Sequence, residues 1–188
     1  MISPEFERLI KQSFPKCLSL AMEERFPAEA IEVKETDVSI SNDMQEAIIL
    51  TLSGHLFRMF IAIVFNKNEQ LNQLVKDALA NNATELDNAA FYDYLNEVGN
   101  VLCGSLKRDI QKVIPSLGMS TPNLLNIESF KYMKDLKIDE QGGYVLSKDQ
   151  TPLLYINYYL GGYGQIEFSQ AVQLEEEEEV DSGELEFF

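Results

Sequence analysis

The sequence has few of the residues on which disulfide-bonded and zinc-binding proteins depend. Its 188 residues include two cysteines, Cys17 and Cys103, and one histidine, His55. Two isolated thiols form no disulfide framework, and with a single histidine they cannot complete a zinc site of the usual kind. We therefore expect both cysteines to be small core residues. We expect His55 to be structural or exposed, because no nucleophile or metal ligand adjoins it in the sequence.

Long apolar runs are also missing. The richest stretch, residues 56–65, is interrupted by Arg58 and ends at Asn66. It is much shorter than the roughly 18 apolar residues that a membrane helix requires. The first ten residues have neither the basic start nor the apolar core of a signal peptide. These features predict no membrane insertion and a cytoplasmic location.

Positive charge is scarce and scattered. The 15 Lys and Arg residues against 31 Asp and Glu residues give a formal net charge of −16. A nucleic-acid surface needs clustered basic residues to neutralise phosphates, whereas here they occur singly or in pairs such as Lys107-Arg108. The sequence therefore predicts no nucleic-acid partner.

Much of the acidic charge lies at the C-terminal end, where residues 175–179 are all glutamate. We therefore divide the chain into a domain of residues 1–173 and an acidic tail of residues 174–188. Such a run of like charges is usually a solvated end. The alternative is that Leu185, Phe187 and Phe188 form a short motif that docks on a basic, apolar groove of a partner or of a second copy.

The N-terminal half has the composition and spacing of a packed domain. Ser3 and Pro4 are typical of a helix start, and the apolar spacing predicts a helix to about Phe26, with a kink or break at Pro15. Three strands follow, within residues 31–40, 47–52 and 56–65, and we interpret them as an antiparallel meander. The third strand is apolar on both faces, which predicts a central strand covered on both sides.

The second half begins with helices and ends with strands. A short helix is predicted over residues 71–79, ending near residues 81–82. Asp87 can cap a long helix that runs from about Asn88 to Ile114 and is terminated by Pro115. The remaining strands are predicted at residues 124–133, 144–146, 153–160 and 165–171, with the last two joined as a hairpin through Gly161-Gly162.

The long helix carries an unusual polar face. At about 100° per residue, five residues lie on the side opposite its apolar stripe, namely Asp93, Glu97, Asn100, Gly104 and Gln111. We call the first four of them the ridge. A solvated helix face would explain a polar ridge in an ordinary helix. Here, however, Asp and Asn are poor helix formers, and Gly99 and Gly104 each cost about 1 kcal/mol relative to alanine. Local rules are often broken where function lies, and we interpret the two glycines as making room beside Asn100 for a partner's backbone.

This pattern resembles a known signature. The spacing Asp93-x-x-x-Glu97-x-x-Asn100-x-x-x-Gly104, followed by Pro122 after a polar loop, is similar to that of the CheC/CheX/FliY phosphatases of bacterial chemotaxis. The order of elements agrees, with an apolar strand, a short helix, the signature helix and then a strand opened by Pro122. Only one such motif is present, so the chain is most similar to the single-site CheX type.

The resemblance implies an α+β fold, CheX-like, with a mostly antiparallel sheet packed with two long helices and a shorter one, and a homodimer. It implies a phosphatase that hydrolyses the phospho-aspartate of a CheY-like response regulator in chemotaxis or two-component signalling. Asn100 and Glu97 would be the catalytic residues, and Asp93, Gly104 and Pro122 would bind the partner. No metal or other cofactor is expected on this chain, and Mg²⁺ is expected on the response regulator.

The expected contribution of this chain to the chemistry is to position the attacking water and the partner. A neutral amide at Asn100 can orient water without placing negative charge against the phosphoryl oxygens, and Glu97 can pair with a lysine of the partner. Asp93 would be a contact, and Gly104 would provide clearance. Pro122 would shape the loop beside the ridge or simply begin a strand. Cys103 has no phosphate-cradling loop beside it, which argues against a cysteine-dependent phosphatase.

Two alternatives belong to other functional classes. The first is a non-catalytic CheX-like interaction module that binds a response regulator or a flagellar switch component. The second is an unrelated α+β ligand-binding domain, in which the ridge and its glycines would be accidental.

Overall fold

A computed structural model describes residues 2–26, 31–38, 44–79 and 86–163. Three α-helices are seen in these residues, α1 (Pro4–Arg25), α2 (Glu69–Ala78) and α3 (Asn88–Gln111). The strands are β1 (Glu32–Thr36), β2 (Glu46–Ser53), β3 (Phe57–Phe65), β4 (Gly118–Met119), β5 (Asn123–Asn126), β6 (Glu140–Lys148) and β7 (Thr151–Gly162). A 3-10 helix, Ile127–Asp135, follows β5. The predicted boundary at residues 173 and 174 and the acidic tail lie outside the described residues.

One antiparallel sheet contains all seven strands. Its order is β1-β6-β7-β3-β2-β4, and β5 pairs with β2 on the same edge as β4. Two long helices and a shorter one pack with it, so the predicted α+β class and the mostly antiparallel sheet are confirmed.

Strand β3 is central and covered on both faces, as its sequence predicts. The larger core lies between one face of the sheet and the helices, and it includes Ile61 and Ile63. A smaller cluster lies on the opposite face, where Ala62 and Val64 pack with Phe130 of the 3-10 helix. Alternate residues of one strand therefore belong to two different cores.

The predicted meander is correct for β2 and β3 but wrong for β1. Strand β1 pairs with β6, at the far edge of the sheet from β2. Three of its five side chains are exposed, which suits an edge position. Four strand spacings separate β1 from β2, about 19 Å, and the nine residues 37–45 can span that distance.

Helix α1 runs unbroken through Pro15 and ends at Arg25, close to the predicted end near Phe26. Ser3 caps it by accepting a hydrogen bond from the Phe6 N–H, and Arg25 is its last residue. Of the predicted kink or break at Pro15, the break was wrong, because the helix continues through this residue. On the two sides of Pro15, the side chains of Phe14, Cys17 and Leu18 are buried in the core. Their packing offsets the loss of the helical hydrogen bond that proline cannot donate.

In the C-terminal half, the strand predicted over residues 124–133 is shorter than expected, and the predicted hairpin turn at Gly161-Gly162 was wrong. Strand β5 ends at Asn126, whose side-chain oxygen accepts a hydrogen bond from the Glu128 N–H and turns the chain into the 3-10 helix. Gly161 and Gly162 form no hairpin turn, because they lie within β7 and pair with β3. The nearby hairpin instead joins β6 to β7 through Asp149 and Gln150, both of which have positive φ. The strand predicted at 165–171 lies outside the described residues.

No helix in the described ranges is long and apolar enough to cross a membrane.

Both thiols are buried, as predicted, and burial raises the pKa of Cys17 and of Cys103 to about 12. At pH 8 the folded protein should therefore hold about 1,000-fold less thiolate than the unfolded chain. We expect a thiol reagent to label both cysteines rapidly in denaturant and at least about 100-fold more slowly in buffer. Equal labelling rates in the two solvents would contradict the buried positions.

The same shifts predict a loss of stability in alkali. The unfolded chain releases thiol protons above the ordinary pKa of 9.0, whereas the folded chain keeps them until about 12. The free energy of unfolding should therefore fall between these pH values, by up to about 1.4 kcal/mol per pH unit for each thiol. Urea denaturation at several pH values measures this decline, and Cys103→Ala should make it shallower. An identical slope in that variant would contradict the assignment.

Candidate functional site

Helix α3 presents one face to the core and the other to solvent. Asp87 caps it, as predicted, by accepting a hydrogen bond from the Ala90 N–H at 2.7 Å. The helix ends at Gln111, three residues before the predicted Ile114. It packs on β2, β3 and α1, and its buried side chains include Phe91, Tyr94, Leu95, Val98, Leu102, Cys103, Leu106 and Ile110.

The ridge residues lie on the solvent side of α3. Asp93 and Glu97 are exposed, and Asn100 and Gly104 are partly exposed. This position follows from helical geometry, because the ridge and the apolar stripe are about half a turn apart. Side chains of the ridge are thus accessible to another macromolecule.

Glu97 and Asn100 contact each other directly. The Asn100 Nδ2 donates a hydrogen bond to the Glu97 Oε2 at 3.1 Å. A carboxylate only accepts, so the amide corner that faces Glu97 must be the NH₂ group. The acceptor Oδ1 of Asn100 is then at the opposite corner, and no donor bonds to it from within the described ranges.

Arg25, which the sequence analysis did not identify, completes this group. Its Nη2 lies 2.9 Å from the Glu97 Oε1, so the two oxygens of one carboxylate bind Arg25 and Asn100 separately. The side chains of Arg25 and Glu97 are 30% and 47% exposed. An ion pair this exposed stabilises a fold by only about 0.2–1 kcal/mol. Its larger effect is to orient the Glu97 carboxylate.

Arg25 reaches α3 because α1 and α3 pack side by side and run in opposite directions. Near one end Cys17 lies 3.7 Å from the Asp109 carboxylate, and near the other the Phe26 ring meets the Tyr94 ring edge-on at 5.6 Å. Burial raises the pKa of Tyr94 to about 12, and the Arg25 charge opposes the rise. The phenol is therefore neutral at physiological pH.

The two glycines of α3 have different roles, which corrects the prediction that both clear space beside Asn100. Gly99 is buried, and a Cβ there would lie 2.6 Å from the Leu50 Cδ1 of β2. It therefore allows α3 to approach the sheet closely. A Cβ at Gly104 would meet no atom within 4 Å, so this position is open as predicted.

Pro122 lies on the sheet edge between β4 and β5, immediately before β5 begins. Ser120, two residues before Pro122, bonds to β2 twice, because its N–H donates to the Thr51 carbonyl and its Oγ accepts from the Thr51 N–H, both at 2.9 Å. Helix α3 contacts β4, so this edge adjoins the helix. No hydrogen bond or ring contact within residues 86–163 joins Pro122 to the ridge.

Other candidate chemistries have little support in this part of the chain. Cys103 is buried with a raised pKa, as noted above, so it is not a reactive nucleophile. His55 is exposed in the turn between β2 and β3. No three His, Cys, Asp or Glu side chains within the described residues lie close enough together to hold a metal ion.

Solved structures of chemotaxis proteins have the same fold. CheX of Borrelia burgdorferi, in its complex with CheY, BeF₃ and Mg²⁺, superposes with a TM-score of 0.63 and 17% identity, over 80% of this chain and 97% of that chain. CheX of Vibrio vulnificus gives 0.55 and 14%, over 79% and 96%. A CheC-like protein of Shewanella sp. PV-4 gives 0.56 and 13%, over 82% and 98%.

These likenesses confirm that the chain has the CheX-like fold that the sequence resemblance implies. No protein-family model and no curated protein sequence matches the chain.

Alanine at the two glycines of α3 should change stability in opposite directions. Gly104→Ala gains about 1 kcal/mol of helix propensity and meets no neighbour. Gly99→Ala gains the same propensity but presses on buried Leu50, and overpacking costs about 1–3 kcal/mol. We expect the first variant to be stabilised by about 1 kcal/mol and the second to be destabilised by about 1 kcal/mol. Urea unfolding measures both, and a shift of both variants in one direction would contradict the assigned roles.

Proposed function

We propose that this protein is a phosphatase of the CheC/CheX/FliY type that hydrolyses the phospho-aspartate of a CheY-like response regulator. The observation that carries the proposal is the Glu97–Asn100 hydrogen bond on the exposed side of α3. It presents an oriented, neutral amide to a partner surface, in a fold that CheX proteins also have. The proposal includes a role in chemotaxis or two-component signalling, a cytoplasmic location and a homodimer.

Asn100 would act by positioning water. Hydrolysis of an acyl phosphate joins a water oxygen to phosphorus and breaks the bond from phosphorus to the aspartate oxygen, which leaves as a carboxylate. Attack must be in line with the breaking bond, so a fixed water lowers the entropic part of the barrier. The free Oδ1 of Asn100 can accept a hydrogen bond from this water, while Nδ2 remains bonded to Glu97.

Glu97 would orient Asn100 and fix the docking angle. Its two carboxylate oxygens offer about four acceptor positions, of which Arg25 and Asn100 use two. A lysine ammonium from the regulator can use another, which would make a charge-assisted hydrogen bond at the point of entry. Asp93, one turn earlier, would add a contact, and Pro122 would shape the loop near the helix.

Gly104 would allow the backbone of a partner to approach α3 closely. The open space at its Cβ position lies one turn after Asn100, so a partner backbone could pass there without a clash. The charge of the phosphoryl group would be neutralised by Mg²⁺ bound to the regulator, and this chain supplies no ligand to that ion in the proposal.

The test is the rate of phosphate loss from a phosphorylated CheY-like regulator with and without the protein. We expect wild type to accelerate decay, and we expect Asn100→Ala to lose about 100-fold in the maximal rate, because the water is no longer fixed. Glu97→Gln should chiefly raise KM, by about 10-fold, because it removes the docking charge. Asn72→Ala, the same change on α2, is the matched control and should behave as wild type.

The possible outcomes separate the functional classes. No acceleration by wild type, with binding of the regulator detected by calorimetry, would contradict the enzyme and favour the non-catalytic interaction module. Neither acceleration nor binding of a regulator would contradict the phosphatase and favour an interaction module that binds a flagellar switch component, because the CheX-like fold already excludes an unrelated ligand-binding domain. Acceleration that Asn100→Ala retains would preserve the phosphatase but contradict the assigned site.

A further inference from the structure

Arg25 is part of the site although it lies on another helix and 72 residues away from Glu97 in the chain. It is in the last turn of α1, where its Nη2 reaches the Glu97 Oε1 at 2.9 Å. The contact between Phe26 and Tyr94 fixes this end of α1 against α3, so the Arg25 backbone is held in place. The guanidinium is therefore held against the ridge residue Glu97 and is not a freely rotating surface cation.

The carboxylate of Glu97 is held between two donors from different helices. Arg25 bonds to Oε1, and Asn100 bonds to Oε2. Two donors at opposite oxygens fix the plane of a carboxylate, whereas a single donor leaves it free to rotate about its last torsion angle. Because the Asn100 amide follows the position of Oε2, its orientation depends indirectly on Arg25.

The charge of Arg25 has a second consequence. A lone carboxylate at Glu97 would repel the phosphoryl oxygens of an incoming substrate. The positive charge of the Arg25 guanidinium, 2.9 Å from Glu97, balances this negative charge. Glu97 can then lie near a phosphoryl group and still accept a hydrogen bond from a partner's ammonium.

We propose that Arg25 is a positioning residue of the phosphatase site, which sets the Glu97 carboxylate and through it the Asn100 amide. This inference rests on the proposed function. It assigns Arg25 no contact with the substrate.

The kinetic test compares wild type, Arg25→Ala and Arg25→Lys with Arg8→Ala, an exposed arginine on the same helix that serves as the matched control. We expect Arg25→Ala to lose about 10-fold in the maximal rate of phosphate release, with Arg25→Lys intermediate and Arg8→Ala unchanged. Folding of each variant is checked by thermal unfolding.

A double variant separates a positioning role from a merely structural one. If Arg25 acts through Asn100, Arg25→Ala should have no further effect in the Asn100→Ala background. A full 10-fold loss in that background would overturn the proposal. A faster or tighter-binding Arg25→Ala would also overturn it, because Arg25 would then be a competitor that the partner displaces.

A spectroscopic readout needs no activity. The side-chain NH₂ signal of Asn100, identified by its loss in Asn100→Ala, should shift in Arg25→Ala and stay in place in Arg8→Ala. An unshifted signal in Arg25→Ala would overturn the positioning role. If the signal shifts as expected but wild type does not accelerate decay, the proposed function fails while the coupling of Arg25 to Asn100 through Glu97 remains.

Discussion

Helix α3 lies close on strand β2 because Gly99 has no side chain to keep them apart. The Leu50 methyl group occupies the space that a Cβ would take, so the helix cannot rotate without losing this contact. The rest of the site depends on that constraint. With Gly99 fixed toward the sheet, helical geometry turns Glu97 and Asn100 away from the sheet and toward solvent. Close packing in the core thus determines which surface the molecule presents.

A single carboxylate then links the two long helices. Glu97 accepts one hydrogen bond from Arg25 of α1 and one from Asn100 of its own helix. These contacts add little to the stability of the fold, but they have a strong effect on the orientation of the Glu97 and Asn100 side chains. The arrangement suits phosphoryl chemistry, in which the protein contributes mainly position and charge balance. In our account the neutral amide approaches the phosphoryl group, the carboxylate faces the partner's cation, and the metal stays with the partner.

Features that depend on local chemistry could be predicted from the sequence. The Asp87 cap follows from one side chain and the next turn of helix, and the central place of β3 follows from its two apolar faces. The ridge could be predicted because helical periodicity is itself local.

The role of Gly99 was misjudged, although its angle on the helix is closer to the apolar stripe than to the ridge. The pairing of β1 and the contact from Arg25 could not be predicted, because both depend on elements distant in the chain. The turn at Asp149 lacks the usual Asn-Gly or Asp-Gly signal.

The central claim is that the exposed face of α3 meets the phosphoryl group of a response regulator. The most direct measurement is a titration of the isotope-labelled protein with a CheY-like regulator, loaded or not loaded with Mg²⁺ and the phosphoryl mimic beryllofluoride. We expect the loaded regulator to shift the Asn100 side-chain amide and the backbone amides of Glu97 and Gly104, and we expect the unloaded regulator to shift them far less. Shifts confined to the far face of the sheet, or equal for both forms of the regulator, would contradict this claim.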